Sequence, residues 1–479
     1  MRVSLRTHIM KKNIQLQALL LLIVAFTACK VTKDMARPEP VLPATFRNDN
    51  TGDTSSTGDL SWKNYFTDVS LQKLIDSAIY NNFNMQLAVK NIESAQLILK
   101  QTKWAYFPDV QLQVAATSSR PSDNSLNGLS ASQFLGTTHI EDYNINVGLS
   151  WEADIWGKIK NQNAAALAAY LQTAEAKKAI QTNLVAAVSQ AYYNLILLDA
   201  QLAIARKNIA LNDSVLSIIR LQYNAGQVTI LAVQQAEAQR QAAALLVPQF
   251  EQNATIQENA ISILTGTLPQ KTERLSVLNA IVFPDSLVAG IPAALVSRRP
   301  DVKSYELALY TANARVGIAK ANMYPALRIT AGGGLNSFKA SNWFNIPASL
   351  FGAVAGSLTQ PIFQKKQLST QYELAKVERE KTVLLFRQSV LNAVGEVSDA
   401  LVQVEKLKTR KQIAENRLQT MQQAIGNAQL LFKNGLANYL EVITAQANVL
   451  QSELELASIK RSELGAGVEL YRSLGGGWK

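Results

Sequence analysis

Leu221-Gln222-Tyr223-Asn224-Ala225-Gly226-Gln227-Val228-Thr229-Ile230-Leu231 returns much later as Leu430-Leu431-Phe432-Lys433-Asn434-Gly435-Leu436-Ala437-Asn438-Tyr439-Leu440. Gly226 and Gly435 stand 209 positions apart, and Tyr223/Phe432 and Leu231/Leu440 keep the same spacing. A duplicated pattern constrains architecture more than any single segment can. Ahead of the first copy, from about Lys158 to Leu221, there is neither proline nor glycine, and Ala, Gln, Asn and Leu abound. At 1.5 Å per residue this predicts roughly 95 Å of helix. The stretch ahead of the second copy, from about Lys365 to Lys433, also lacks proline. Such helices far exceed the usual length of about 10 to 14 residues and need neighbours to coil against. Gly226 and Gly435 then end the helices, and return helices begin after Thr229 and Asn438. Pro248, inside the first return helix, predicts a bend or a local interruption.

Two further echoes extend the repeat. Tyr106-Phe107-Pro108 recurs as Met323-Tyr324-Pro325, 217 residues on, and Ile155-Trp156-Gly157-Lys158 is echoed by Ile362-Phe363-Gln364-Lys365 at a spacing of 207. The changes in spacing read as differences in loop length. Each half then consists of a helix, two strands, a very long helix, a Gly turn and a second long helix.

The strands decide the environment. Val110, Leu112, Val114 and Ala116 alternate with Gln111, Gln113, Ala115 and Thr117, and Ile145, Val147, Leu149 and Trp151 alternate with Asn146, Gly148, Ser150 and Glu152. The second half offers Leu327, Ile329 and Ala331, then a weaker strand from Phe351 to Thr359. Aromatic residues crowd the strand ends: Trp104, Tyr106 and Phe107, then Tyr324, Trp343, Phe344, Phe351 and Phe363. Alternation over about ten residues with aromatic borders is the pattern of an outer-membrane barrel strand. Four strands cannot close a barrel, and an open edge in lipid leaves backbone groups unpaired at several kcal/mol each. Closure therefore requires other copies; two would give eight strands and three would give twelve, each with a polar lumen.

The remaining composition excludes more than it assigns. With 48% hydrophobic, 17% charged and 7% aromatic residues, the chain is neither disordered nor a polytopic helical membrane protein. One cysteine and two histidines, His8 and His139, leave no disulfide framework and little for a metal. The formal charge of +11 is spread without basic runs, so a nucleic-acid partner is not expected. Nor can a Ser/His/Asp or Cys/His constellation be assembled, so no enzyme is expected. Residues 1–28 carry Arg2, Arg6, Lys11 and Lys12 before the apolar run Ala18 to Phe26, which reads as a signal peptide. It ends Phe26-Thr27-Ala28-Cys29, resembling a bacterial lipobox with Cys29 as the lipidation site. Residues 29–61, with Pro38, Pro40, Pro43 and a polar run, read as a lipidated tether. Residues 62–290 and 291–479 are then the two repeats.

Leu295-Val296-Ser297-Arg298-Arg299-Pro300-Asp301-Val302, followed by Ala312 to Ala321 and Tyr324-Pro325, resembles the central signature of TolC-type outer-membrane factors, in their lipoprotein, NodT-like branch. Trp151 to Lys158 is similar to the family's pattern after its second strand. The resemblance spans about residues 62 to 474. It implies a mixed α/β membrane protein: a homotrimer with four strands per protomer in a twelve-stranded outer-membrane β-barrel, continued by a long periplasmic α-helical coiled-coil barrel. It also implies a passive duct in a tripartite efflux system, docked by a periplasmic adaptor and served by an inner-membrane transporter of the proton-driven kind. Type I secretion is the second reading, and a structural coiled-coil lipoprotein without a pore is the third. No cofactor is implied beyond the covalent lipid at Cys29.

Where the family often has Gly-Gly, this chain has Gln364-Lys365-Lys366, and where it often has two acids at the second tip, this chain has Glu441 and Thr444. The resemblance makes Glu441, with Tyr439 and Thr444, the periplasmic aperture. It makes Ala225, Gly226, Gln227, Asn434, Gly435 and Leu436 the adaptor-docking tips. Arg298, Arg299, Pro300 and Asp301 read as structural: Pro300 and Asp301 suit a helix start, and the arginines suit acids across protomers.

Overall fold

A computed structural model describes residues 42–47, 56–281 and 289–479. Cys29 and the leader lie outside the described residues. The elements in chain order are α1 (Trp62–Tyr65), α2 (Val69–Asn81), α3 (Phe83–Trp104), β1 (Asp109–Ser119), α4 (Leu126–Ser130), β2 (Ile140–Glu152), α5 (Lys158–Asn224), α6 (Ile230–Leu264), α7 (Pro292–Arg298), α8 (Pro300–Ala321), β3 (Ala326–Ser337), β4 (Leu350–Thr359), α9 (Gln367–Lys433) and α10 (Tyr439–Ser473). Among the described residues no helix is long and apolar enough to cross a membrane.

The repeat is written into the lengths. Helices α3 and α8 each have 22 residues, α5 and α9 each have 67, and α6 and α10 each have 35. The spacing is 217 up to the first strand of each half and 209 from the long helices onward, as α5 begins at Lys158 and α9 at Gln367. This corrects the spacing of 207 read from Ile155-Trp156-Gly157-Lys158. Gly157, at φ 71°, corresponds to Lys366, at φ 61°, and Trp156 therefore corresponds to Lys365 rather than Phe363. The likeness of Ile-Trp to Ile-Phe misled because a lysine occupies the left-handed position that glycine takes in the first half. The change of spacing lies in the hairpins. Twenty residues, 120–139, join β1 to β2, whereas twelve, 338–349, join β3 to β4.

The chain divides into two compact units. One consists of residues 94–170 and 307–383 and carries an antiparallel sheet in the order β1-β2-β3-β4, so β1 and β4 are open edges. Val110 faces Leu149, Leu112 faces Val147, and Leu149 in turn faces Ala331, which gathers the apolar alternation of every strand on one face. That face is uncovered: Leu112 is 68% exposed and Val354 80% exposed. The unit's polar face carries Gln111, Asn146, Ser150 and Thr330, which line one shallow groove, and Ser357, which lines another beside Glu152 and Arg328.

The other unit, residues 39–93, 171–306 and 384–479, is helical. Its largest core cluster gathers Tyr65, Leu71, Ile75, Tyr192, Tyr193, Val468 and Tyr471, with Tyr65 stacked on Tyr471 at 4.1 Å between centroids. Burial pushes the Tyr65 hydroxyl far above its ordinary range, with Tyr193 and Tyr471 adding to the shift, so it stays protonated and donates to the Gly467 carbonyl at 2.8 Å. A second cluster packs Val302, Phe386, Val390 and Val397 against Leu470 and Leu474. Helix α6 continues through Pro248 without interruption. Helix α9 likewise tolerates Gly395 and Gly426, where an added Cβ would meet open space.

Candidate functional site: the helical tips and the strand junctions

Both tips are built alike. At the end of α5, the Gln227 N–H donates to the Gln222 carbonyl at 2.8 Å and the Gly226 N–H donates to Tyr223 at 2.9 Å; after α9, Leu436 donates to Leu431 at 2.9 Å and Gly435 to Phe432 at 3.1 Å. These nested bonds satisfy the last carbonyls of each helix and require a left-handed residue, which Gly226 and Gly435 supply at φ 72° and 73°. Ala225, Gln227, Asn434 and Leu436 are exposed, and Leu436 is 76% exposed. Just above, Ile219, Val233, Phe432, Val442 and Ile443 form a common core, so both turns stand on one packed base.

Helix α10 begins with a true cap. Asn438 Oδ1 accepts from the Leu440 N–H at 2.9 Å and the Glu441 N–H at 3.3 Å. Glu441 thus sits in the first turn, where the helix dipole favours an anion. Glu441 and Thr444 are exposed on one side while Val442 and Ile443 are buried on the other. Tyr439 leans on the tip core and donates its hydroxyl to Gln235 at 2.5 Å.

Arg299 is 4% exposed. It grips Asp301 with two bonds of 3.0 and 2.6 Å, Glu396 at 2.8 Å and the Ser473 carbonyl at 3.2 Å. Glu396 also meets Arg472, which is held by Glu469. Burial alone would pull the Arg299 guanidinium down, but Asp301 and Glu396 outweigh it and hold it above its ordinary value. Arg298 pairs with Asp59 at 2.7 Å. Both arginines find acids within their own chain, because α9 brings Glu396 beside Arg299 and the segment ahead of α1 brings Asp59 beside Arg298. Pro300 and Asp301 occupy the first turn of α8. Sequence reading missed Glu396, which lies 97 positions from Arg299, and the run Gly475-Gly476-Gly477, which packs against Arg298, Tyr471 and Thr182.

The strand junction gathers a further cluster around the Trp151 to Lys158 stretch, whose partners Arg328 and the Pro325 carbonyl sequence reading missed. Lys158 pairs with Glu152 at 2.9 Å, and Arg328 approaches the other carboxylate oxygen at 3.4 Å. Asp154 caps α5 by accepting from the Ile159 and Lys160 N–H groups. Trp156 donates to the Pro325 carbonyl at 2.6 Å and stacks on Tyr324 at 4.9 Å.

This arrangement has relatives. The cation efflux system protein CusC of Escherichia coli O6:H1 is 26% identical over 459 residues, covering 95% of this chain and 97% of CusC. The toluene efflux pump outer membrane protein TtgF of Pseudomonas putida is 28% identical over 478 residues, covering 95% of each. Among solved structures, CusC superposes with a TM-score of 0.82 at 25% identity, covering 94% of this chain and all of that one. The open-state MtrE channel of Neisseria gonorrhoeae shares the fold at a TM-score of 0.84 and 24% identity, over 94% of this chain and 99% of MtrE. The fold class is thus the expected one: four strands per protomer in a trimeric, twelve-stranded outer-membrane barrel, with long paired helices arranged as a two-fold repeat for the periplasm. The outer membrane efflux protein family matches residues 74–267 and 291–476, both halves of the repeat, and the chain belongs to that family, as the outer-membrane channel of a tripartite efflux system.

Proposed function

We propose that this chain, lipid-anchored through Cys29, is a passive exit duct for small molecules whose periplasmic end is opened by an adaptor seated on the two Gly turns. The carrying observation is that Ala225-Gly226-Gln227 and Asn434-Gly435-Leu436 present the same exposed, left-handed turn in both repeats, on one shared core. A partner that recognises one turn recognises the other, so a trimer offers repeated footholds around its end. Energy then comes from an inner-membrane transporter, and that transporter, more than the duct, selects the cargo.

Threefold symmetry turns Glu441 into a ring of three carboxylates, with Thr444 on the same exposed side and Tyr439 packed behind. Such a ring favours cations and resists further closure by like-charge repulsion. The test is single-channel recording of the reconstituted trimer with Glu441→Ala and Glu441→Gln. Both variants should lose cation preference and change conductance; wild-type currents from both would overturn the aperture assignment.

A further inference from the structure

The internal repeat carries information about an interface that one chain cannot show. Within the sheet unit the two hairpins are equivalent down to single bonds. Trp151 Nε1 donates to the Tyr106 carbonyl at 2.9 Å, and at the corresponding positions of the second half Gln360 Nε2 donates to the Met323 carbonyl at 3.1 Å. The spacings of 217 and 209 therefore hold across the strands themselves as well as the helices. The chain contains one seam between hairpins, β2 against β3, in which Ser150 faces Thr330, Leu149 faces Ala331 and Val147 faces Gly333. The seam between β4 and a second copy's β1 is its counterpart.

Resting on the trimeric barrel described above, we propose that the β4 edge pairs with β1 of the next protomer in the register that the repeat imposes. Thr359 then lies opposite Gln113 of the partner subunit, Leu358 opposite Val114 of the partner subunit, and Gly356 opposite Ala116 of the partner subunit. The pairing keeps apolar residues on one face and polar residues on the other across the seam. A slip of one residue would set Leu358 beside Gln113 of the partner subunit and put an amide into lipid. A slip of two would preserve the faces, so the repeat, not the hydrophobic pattern, selects between these registers.

Oxidative cross-linking of the full chain tests the register. β1 and β4 are opposite edges of one sheet, about 14 Å apart and beyond disulfide reach, so any product is intermolecular. Thr359→Cys combined with Gln113→Cys should give covalent dimers and trimers at least about tenfold more abundantly than Thr359→Cys with Gln111→Cys or with Ala115→Cys, whose Cα atoms would lie too far apart. Dominance of either of the latter pairs overturns the register while leaving the barrel intact. If no pair yields intermolecular product while the intrachain pair Ser150→Cys/Thr330→Cys oxidises, the copy-closed barrel is itself wrong and this inference falls with it.

Discussion

Arg298 and Arg299 are neighbours in sequence with sharply different surroundings, and their substitution by methionine separates them. The Arg299 guanidinium is buried between Asp301, Glu396 and the Ser473 carbonyl, so Arg299→Met breaks both bonds to Asp301 and leaves the Ser473 carbonyl without its donor, while Glu396 keeps Arg472. Losing these charge-assisted bonds is expected to destabilise the helical unit by about 2 to 3 kcal/mol, the partial exposure of both carboxylates keeping it below the cost of a fully buried pair. Arg298 faces Asp59, whose side chain is 43% exposed and which Lys479 also neutralises, so Arg298→Met should cost less than about 1 kcal/mol. Guanidinium unfolding of the detergent-solubilised protein, followed by helical circular dichroism, measures both. The pH dependence adds a signature. Burial pushes Asp301 up, but the hydrogen bonds and charge of Arg299, with the Val302 N–H, hold it below its ordinary value of 3.8. A carboxylate depressed in the folded state contributes stability fully above about pH 4 and loses it as pH falls through the lowered value. The gap between wild type and Arg299→Met should accordingly be widest near neutrality and narrow in acid. An equal cost for the two arginines, or a gap that widens in acid, refutes the reasoning.

Lys366→Gly should stabilise the junction of β4 and α9 by roughly 0.5 to 1 kcal/mol, since Lys366 sits at φ 61°; a lowered denaturation midpoint would contradict this. For Gly476→Ala the new Cβ would lie 2.3 Å from the fully buried Tyr471 ring, so a loss of at least about 2 kcal/mol is expected, read as reduced trimer yield and midpoint. Gly226→Ala and Gly435→Ala meet no neighbour within 4 Å and cost only left-handed strain, about 1 kcal/mol each. Normal assembly with unimpaired efflux in the double variant would remove the tips from adaptor docking.

Much of the fold could be read directly because its signals are local and periodic. The alternation in β1 and β2 marked the uncovered apolar face, and the proline-free runs marked α5 and α9 almost to their ends. Side-chain partners far apart in sequence were not legible: nothing near Arg299 announces Glu396, and nothing near Trp156 announces Pro325. The two-residue error in the spacing of the strand junctions has a definite cause, as a backbone angle was conserved while the glycine that usually marks it was not. Of the candidate site, the turns at Gly226 and Gly435 were visible as helix stops, whereas what approaches them depends on chains outside this one.

The unequal hairpin connections have a consequence for the cell's exterior. The longer link holds α4 and the exposed Phe134, and it recurs three times around the mouth, alternating with shorter lips. Exposed connections tolerate change better than the strands they join, so sequence drift should concentrate in residues 120–139 while the wall beneath stays constant. Residues 120–139 are for the same reason the natural place to splice an epitope for detecting the protein on living bacteria.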